Sequence, residues 1–180
     1  MWTKGKGGFM ATLIAYFSRA GYNYVNGNII PLKEGNTKIA AEKLHSIVGG
    51  DMFEIAQTQD YSDDYRECVA QAKKDYLEGV RPELKAYPEN IEKYDRIYLG
   101  YPNYCGTMPV AVFAFLEKYG FTGKTILPFC TNEGSGMGKS ERDIRNTCPD
   151  AILKEGLPLH GADVQNCDSQ LKEWVERTKD

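Results

Sequence analysis

Three short segments of the sequence combine glycine with hydroxyl and amide side chains, and each begins where an apolar run ends. The first is 18–21, which resumes at 35–37, the second is 101–109 and the third is 131–138. Small residues let a backbone approach a phosphate, and the free N–H groups at the start of a helix favour an anion. The third segment is richer in glycine and hydroxyl groups than a connection requires. Together the segments predict a site for a phosphate and for the polar edge of a heterocycle.

Each segment also has a purely structural explanation. Asn36 or Thr37 can cap a helix, and the aromatic side chain of Tyr104 can plug the end of a sheet. Arg19 either pairs with a phosphate or only caps the loop surface. Cys105 is explained more simply as a space-filling residue than as a reactive thiol, since no basic residue is close to it in sequence. The occurrence of all three segments at strand ends favours the binding site.

Two kinds of element alternate between these segments: continuous apolar runs, typical of strands buried on both faces, and apolar positions at helical spacing. The predicted strands are 11–17, 51–56, 96–100, 125–130 and 151–157, and the predicted helices are 37–48, 63–78, 109–119, 138–148 and 169–179. This alternation predicts a three-layer, doubly wound α/β domain whose sheet has five parallel strands in the order 2-1-3-4-5. Ligands of such sheets bind at the carboxyl ends of the strands, where the three segments fall.

One stretch, 22–35, interrupts the alternation inside the first of the three segments. Asn26 and Gly27, flanked by apolar residues, are a strong signal for a two-residue hairpin turn. We expect a short β-ribbon that projects beside the ligand end of the sheet. The alternative is a surface insertion that the fold tolerates, because loops absorb insertions at little cost.

Composition narrows the classes of protein further. The chain has 180 residues, a formal net charge of −3 and no basic stripe, which argues against a nucleic-acid surface. Two histidines far apart make a metal site improbable, and five cysteines without regular spacing read as reduced thiols of a cytoplasmic protein. No segment is apolar over a membrane-spanning length. We interpret residues 1–9 as a flexible leader or a cloning remnant, and 10–180 as one domain.

Six short motifs make the chain similar to one known family. They are YFSRAG at 16–21, GNT at 35–37, LGYP at 99–102, GTMP at 106–109, PFCT at 128–131 and EGSG at 133–136. In combination, and over a stretch from about residue 11 to the end of the sequence, they resemble the flavodoxin family. The likeness is greatest to its short-chain bacterial branch with an insertion inside the phosphate loop. It implies the flavodoxin-like fold and non-covalently bound FMN at the carboxyl ends of the strands.

The resemblance also implies roles for individual residues. The FMN phosphate would be held by Ser18, Arg19, Ala20, Asn36 and Thr37. The isoalloxazine ring would lie between two loops, with Pro102, Asn103, Tyr104, Cys105, Gly106 and Thr107 on one side and Thr131, Asn132, Glu133, Gly134, Ser135 and Gly136 on the other. The peptide at Gly106 would rotate to accept a hydrogen bond from the reduced ring. No catalytic side chain and no metal ligand is expected.

One departure from the family pattern concerns the ring pocket. Where that branch carries a pair of tryptophans, this chain has Tyr104 and Cys105. A weaker stacking surface beside a smaller neighbour would leave one side of the ring more open. The consequence would be looser FMN binding or room for a second planar molecule.

Four functions are compatible with these features. The leading hypothesis is an electron carrier, monomeric or weakly dimeric, that docks with redox partner proteins. The alternative is a small NAD(P)H-dependent flavin reductase whose partner is a planar quinone or azo compound. A response-regulator module would need acidic residues after the first strand, where Ser18 and Arg19 stand instead. A degenerate relative that has lost FMN and only binds partners is the fourth.

Overall fold

The structure is a computed structural model and describes residues 10–179. The chain order of its elements is β1 (Thr12–Tyr16), β2 (Gly21–Val25), β3 (Asn28–Leu32), α1 (Asn36–Val48), β4 (Asp51–Glu54), α2 (Tyr65–Glu78), β5 (Arg96–Pro102), α3 (Val110–Tyr119), β6 (Thr125–Asn132), α4 (Ser140–Thr147), β7 (Ile152–Leu153), β8 (Leu157–His160) and α5 (Asp168–Arg177). Short 3-10 helices cover Ile91–Lys93 and Gly161–Asn166. The expected leader, 1–9, and residue 180 lie outside the described residues.

The main sheet has the predicted parallel topology. Its strands lie in the order β4-β1-β5-β6, and β7 and β8 both pair with the outer side of β6. Every one of these pairings is parallel. Because β7 and β8 together take the place of one final strand, the order is the expected 2-1-3-4-5. The flavodoxin-like fold is therefore confirmed.

The final strand is split, whereas a continuous strand over 151–157 was predicted. Lys154, which follows β7, still donates its N–H to the Ile126 carbonyl of β6 at 3.0 Å, but the next two residues bond to side chains. The backbone N–H of Gly156 donates to Glu141 Oε1 at 2.8 Å, and the carbonyl of Glu155 accepts from Trp174 Nε1 at 2.9 Å. Helices α4 and α5 therefore supply partners that a continuous ladder would have supplied.

Helices cover both faces of the sheet, and the side chains of β1 alternate between the two layers. Leu13 points into the core formed with α3 and α4, while its neighbour Ile14 points into the core formed with α1 and α5. Both residues are at most 1% exposed. This burial on both faces explains why the strands read as continuous apolar runs.

The ribbon predicted over 22–35 forms between Gly21 and Leu32 as the antiparallel pair β2–β3, separate from the main sheet. Asn26 (φ +47°) and Gly27 (φ +83°) occupy its turn, and two positive φ angles are the mark of a type I′ hairpin. We call this pair the hairpin below. A two-stranded ribbon is only marginally stable alone, so its contacts with the rest of the chain decide its position.

Two elements near the predicted site differ from their predicted limits. β5 and β6 each continue two residues further, to Pro102 and Asn132, and so reach into the site segments. α4 begins at Ser140 and not at Gly138, because Gly138 adopts a left-handed φ of +55°. A Cβ at Gly138 would lie 2.2 Å from the carbonyl oxygen of Gly106, so this close approach requires glycine. Among residues 10–179, no helix combines the length and the apolar character needed to cross a membrane.

Candidate functional site

A cleft of about 320 Å³ opens at the carboxyl ends of β1, β5, β6 and β8. The predicted site residues that line it are Ser18, Arg19, Asn36, Thr37, Pro102, Asn103, Tyr104, Thr131, Asn132, Glu133 and Ser135. Those that lie outside the lining are Ala20, Cys105, Gly106, Thr107, Gly134 and Gly136. Four lining residues were not predicted: Asn23, Tyr24, Tyr65 and Gly161. The fold thus brings the three segments together and adds the hairpin and α2 to them.

One end of the cleft is formed by the start of α1. The residue that caps this helix is Gly35, which makes no side-chain cap hydrogen bond, so neither Asn36 nor Thr37 acts as the cap. Instead the Ser18 hydroxyl accepts a hydrogen bond from the Lys38 N–H at 3.0 Å. Within residues 10–179 the N–H groups of Asn36 and Thr37 have no hydrogen-bond partner. Two free donors and the positive end of the helix dipole therefore face this end of the cleft.

Close packing holds this end together. A Cβ at Gly35 would lie 2.2 Å from Ser18 Oγ and 2.6 Å from the Arg19 carbonyl oxygen, so the start of α1 rests directly on the loop after β1. The hydroxyls of Thr37 and Thr131 lie 2.7 Å apart, and these residues are only 2% and 5% exposed. This buried bond fixes α1 to the end of β6. We call this end of the cleft the α1 end.

The Arg19 side chain serves the hairpin. Its guanidinium donates to the carbonyls of Ser62 at 2.8 Å and Asp63 at 3.1 Å, and it also contacts the carbonyl of Tyr22. Arg19 thereby ties the base of the hairpin to the loop that precedes α2. Arg19 was expected either to pair with a phosphate or to cap the loop surface, and these bonds agree with the second role.

The loop after β6 is organised by Asn132. Its Nδ2 donates to the carbonyls of Cys130 at 3.3 Å and Leu159 at 3.2 Å, and its Oδ1 accepts from the N–H groups of Gly134 at 2.9 Å and Gly136 at 3.0 Å. Both glycines have positive φ angles, which suit this tight loop. Because its amide is used within the protein, Asn132 shapes the cleft and leaves Glu133 and Ser135 to face its interior.

Glu133 connects three parts of the cleft. Its Oε2 accepts from the N–H of Asn26 at the hairpin tip, at 2.9 Å, and lies 3.2 Å from His160 Nε2. Its Oε1 is buried and has no hydrogen-bond partner among residues 10–179. A Cβ at Gly161 would lie 2.4 Å from this oxygen and 2.6 Å from Asn36 Nδ2, so only glycine leaves room here. The carboxylate thus joins the hairpin tip to the main domain and keeps one acceptor free.

His160 lies beside two acidic side chains. Its Nδ1 is 2.7 Å from Asp163 Oδ2, and its Nε2 faces Glu133. The hydrogen bond to Asp163 and the nearby charge of Glu133 raise the pKa of His160, against a smaller desolvation effect. The protonated form of His160 is therefore favoured at the edge of the cleft.

The loop after β5 contains a tight turn. Tyr104 and Thr107 exchange backbone hydrogen bonds of 3.0 and 2.9 Å, and Cys105 (φ +55°) and Gly106 (φ +76°) form the corner. The Gly106 carbonyl already accepts from the Lys139 N–H at 2.8 Å. The Gly106 carbonyl is therefore held in place, so the expected rotation would have to involve the Cys105–Gly106 peptide, and it stays a prediction. Within residues 10–179, the carbonyl of that peptide, which belongs to Cys105, has no hydrogen-bond partner.

Asn103 joins the two loops that border the cleft. Its Oδ1 accepts from the Gly106 N–H at 3.1 Å, and its Nδ2 donates to the Gly136 carbonyl at 3.0 Å. Thr107 is fully buried and donates to Asp143 at 2.7 Å, so it supports the turn and has no access to the cleft. These bonds explain why residues 105–107 shape the site and do not line it.

Tyr104 points inward. Its ring meets Phe17 edge to face, with centroids 5.9 Å apart, and its hydroxyl lies near the Cys68 thiol. Burial raises the pKa of this phenol, so it stays neutral. The stacked aromatic pair at the cleft is instead Tyr24 of the hairpin and Tyr65 of α2, with centroids 6.3 Å apart and ring planes 24° from parallel. Tyr104 was expected to provide the aromatic wall of the cleft, and Tyr24 and Tyr65 also contribute to that wall.

Some of the missed residues had a signal in the sequence. Gly161 follows the last strand, where the strand-end rule applies. Tyr24 and Asn23 belong to the predicted ribbon, but the face they present depends on how the hairpin is anchored. Tyr65 begins α2, and no local pattern distinguishes it from an ordinary surface tyrosine. In residues 10–179, no three His, Cys, Asp or Glu side chains group as metal ligands would.

Comparison with known proteins agrees with this architecture. The sequence profile of the family described as flavodoxin matches residues 11–178. A provisionally named flavoprotein from Bacteroides eggerthii DSM 20697 is 31% identical, with a TM-score of 0.75 over 93% of this chain and 96% of its own. Another from Bacteroides uniformis ATCC 8492 is 26% identical, with a TM-score of 0.73 over 93% and 98%.

A more distant structure, a flavoprotein in complex with FMN from Lactobacillus acidophilus NCFM, is 18% identical, with a TM-score of 0.65 over 87% of this chain and 97% of its own. At this identity the likeness shows the fold. None of the curated protein sequences compared with the chain matches it. The match of the family profile over nearly the whole described chain, with the sheet order and the cleft at its strand ends, places the protein in the flavodoxin family.

Proposed function

We propose that the protein binds one FMN non-covalently in the cleft and uses it to carry electrons to and from redox partner proteins. The observation that carries the proposal is the α1 end, where free N–H groups open onto a cleft bordered by all three predicted segments. Membership of the flavodoxin family and the FMN complex of the Lactobacillus relative support the choice of cofactor.

The phosphate fits the α1 end. The N–H groups of Asn36 and Thr37 would donate to its oxygens, and the Asn36 side chain lies beside them at Gly161. A hydrogen bond to a charged group contributes about 1.5–3 kcal/mol, and the helix dipole adds up to about 2 kcal/mol in partly buried geometries. Ser18 would act indirectly, since its hydroxyl already holds the Lys38 amide.

The hydroxyl chain and the ring of FMN fit the remainder of the cleft. In the described part of the chain the buried Glu133 Oε1 has no donor, and a ribityl hydroxyl would provide one. Tyr24 and Tyr65 offer flat aromatic surface to the ring, and Ser135 offers a hydroxyl to its polar edge. We call the part of the cleft bordered by Tyr24 and Tyr65 the ring end. When bound, the flavin would supply the redox chemistry, and these residues would orient it and limit access of water.

A second candidate function, a flavin reductase that acts on a small planar acceptor, is favoured by one observation. A further cavity of about 190 Å³ adjoins the cleft and shares part of its wall, including Tyr65 and Tyr104. An electron carrier that docks with proteins does not need such a cavity. The carrier remains the leading proposal because the sequence contains no second nucleotide motif.

Two measurements test the proposal. The purified protein, supplied with FMN and passed over a desalting column, should show the visible flavin bands and release the flavin on acid precipitation. A colourless protein that leaves all FMN in the column wash would contradict it. Rapid oxidation of NADPH by the loaded protein in the presence of a quinone would select the reductase, whereas reduction only through an added protein reductase would select the carrier.

A further inference from the structure

The further cavity, called the side cavity below, lies between α2 and the loop after β5. It shares Arg19, Asn23, Tyr65, Asn103 and Tyr104 with the cleft, and its remaining wall is Cys68, Val69, Ala72 and Cys105. We propose that the side cavity binds a single uncharged aromatic ring, a class that includes phenols and monocyclic quinones. The proposal rests on the proposed binding of FMN, and it deepens the second candidate function, the flavin reductase, by naming the small molecule that would meet the flavin.

The size of the side cavity suits one ring. Its volume is about 190 Å³. An apolar protein cavity of about 150 Å³ binds benzene, so the side cavity has room for one six-membered ring with small substituents. A dinucleotide is several times larger. The volume therefore selects a monocyclic ligand.

The wall of the side cavity is mostly uncharged. α2 contributes Val69 and the buried Ala72, and burial raises the pKa of the Cys68 thiol. The Cys105 thiol is exposed, and partial desolvation raises its pKa against the opposing charges of Lys73 and Lys139, so both thiols stay neutral. Of the described residues, Arg19 is the only cation in the lining, and its guanidinium is bonded to backbone carbonyls. A charged ring would lose its hydration here without a matching partner, so a neutral one is preferred.

Two polar atoms remain to orient such a ring. Asn23 uses its Nδ2 for the carbonyls of Arg19 and Gly21, at 3.2 and 3.0 Å, and its Oδ1 has no donor among the described residues. The Tyr65 hydroxyl has no hydrogen-bond partner within residues 10–179 and can donate or accept. A phenol can donate to Asn23 Oδ1, while a quinone oxygen can accept from Tyr65.

The position of the side cavity connects it to the cleft. Tyr65 and Tyr104 belong to both walls, so a ring held in the side cavity lies within one side chain of the cleft. Cys105 belongs to the side cavity alone. This is the side on which the replacement of a tryptophan pair by Tyr104 and Cys105 was expected to leave room for a second planar molecule.

The test uses 4-fluorophenol as the probe, observed by ¹⁹F NMR with the FMN-loaded protein, and 4-fluorobenzoate as its charged counterpart. We expect saturable binding of the phenol and at least tenfold weaker binding of the benzoate. Val69→Phe, at a position 44% exposed, and Ala72→Phe would each fill the side cavity and weaken binding at least tenfold. Leu77→Phe, on the same helix and 71% exposed, should leave binding unchanged.

Several results would overturn the proposal: absence of saturable binding, equal binding of phenol and benzoate, or binding that survives both filling variants. Phenol binding by the flavin-free protein alone, and not by the FMN-loaded protein, would also overturn it, because the side cavity would then be part of the flavin site. The visible flavin spectrum of each sample reports separately on the proposed function. If the protein binds the phenol but takes up no FMN, the side cavity is a ring-binding site and the proposed function is wrong.

Discussion

The α1 end and the ring end of the cleft are built in different ways. At the α1 end, Thr37 and Thr131 are 2% and 5% exposed and join α1 to β6 through a buried hydrogen bond. At the ring end, Tyr24 is 44% exposed and belongs to a hairpin outside the main sheet. The α1 end is therefore part of the folded core, whereas the ring end depends on an inserted element.

This difference assigns separate tasks to the two ends. The α1 end cannot move without disturbing the core, so it suits a part of the ligand that stays the same. The hairpin is held at its base by Arg19 and at its tip by the bond from Asn26 to Glu133. Few contacts hold it, so the ring end can adapt or open at low cost. We expect binding affinity to reside mainly at the α1 end and access to the ring to depend on the hairpin.

The largest effect is expected from Gly35→Ala at the α1 end. Gly35 has an ordinary φ of −69°, but its new Cβ would lie 2.2 Å from Ser18 Oγ and force α1 away from the loop after β1. We expect a loss of about 1–3 kcal/mol of stability and a weakening of FMN binding by about 100-fold. Fluorescence titration with FMN and thermal unfolding measure the two effects.

The matched control for that variant is Gly79→Ala. Gly79 ends α2 with a φ of +67° and has open space around it, so alanine there strains the backbone without a clash. It should lower stability by about 1 kcal/mol and leave FMN affinity unchanged. If both variants weaken FMN binding equally, the α1 end has no special role.

A smaller effect at the same end is expected from Thr37→Val. This change removes the 2.7 Å bond and leaves the Thr131 hydroxyl buried without a partner. An unsatisfied buried hydroxyl costs about 1–3 kcal/mol, and Thr37→Ser should restore most of that loss. Chemical denaturation of the three proteins provides the comparison. Equal stability of the valine and serine variants would refute the role of the hydroxyl pair.

At the ring end, Tyr24→Leu tests the aromatic wall. We expect FMN affinity to fall by about fivefold, since a stacked aromatic contact contributes about 1 kcal/mol. Tyr22→Leu is the matched control, because Tyr22 lies on the same strand, is 49% exposed and does not line the cleft. Equal effects of the two variants on FMN titration would mean that the hairpin contributes no specific contact.

The smallest effect concerns pH. The pKa of His160 is raised in the folded protein by Asp163 and Glu133, so its contribution to stability is complete below the ordinary pKa of about 6.5 and is lost as the pH rises through the raised value. The difference in melting temperature between the wild type and His160→Gln should therefore shrink from pH 6 to pH 8.5. A difference that grows with pH would contradict the assignment.

The sequence predicts the main sheet and the α1 end of the cleft better than it predicts the ring end. The strands of the main sheet were recognisable because burial on both faces leaves continuous apolar runs such as 11–17, and the strand-end rule then located the site segments. The structure of the ring end was harder to predict from the sequence. The placement of Tyr24 depends on a bond between Asn26 and Glu133, which are 107 residues apart. No local pattern reveals such a contact.

Individual roles inside the segments were also hidden. Asn132 and Asn103 were expected to meet the ligand, but their amides are occupied by loop carbonyls and N–H groups. The direction of Tyr104 depends on Phe17 and Cys68, which belong to other elements. The sequence indicates where polar groups collect, and the three-dimensional contacts decide which of them remain free for a ligand.

The most direct test of the account compares FMN with riboflavin. Both share the ring and the ribityl chain, and only FMN carries the phosphate that the α1 end would hold. Fluorescence titration of the flavin-free protein should give an affinity about 100-fold higher for FMN, which corresponds to about 3 kcal/mol from two hydrogen bonds to a charged group. Equal affinities, or no binding of either flavin, would contradict the central claim that the free N–H groups at the start of α1 hold the cofactor phosphate.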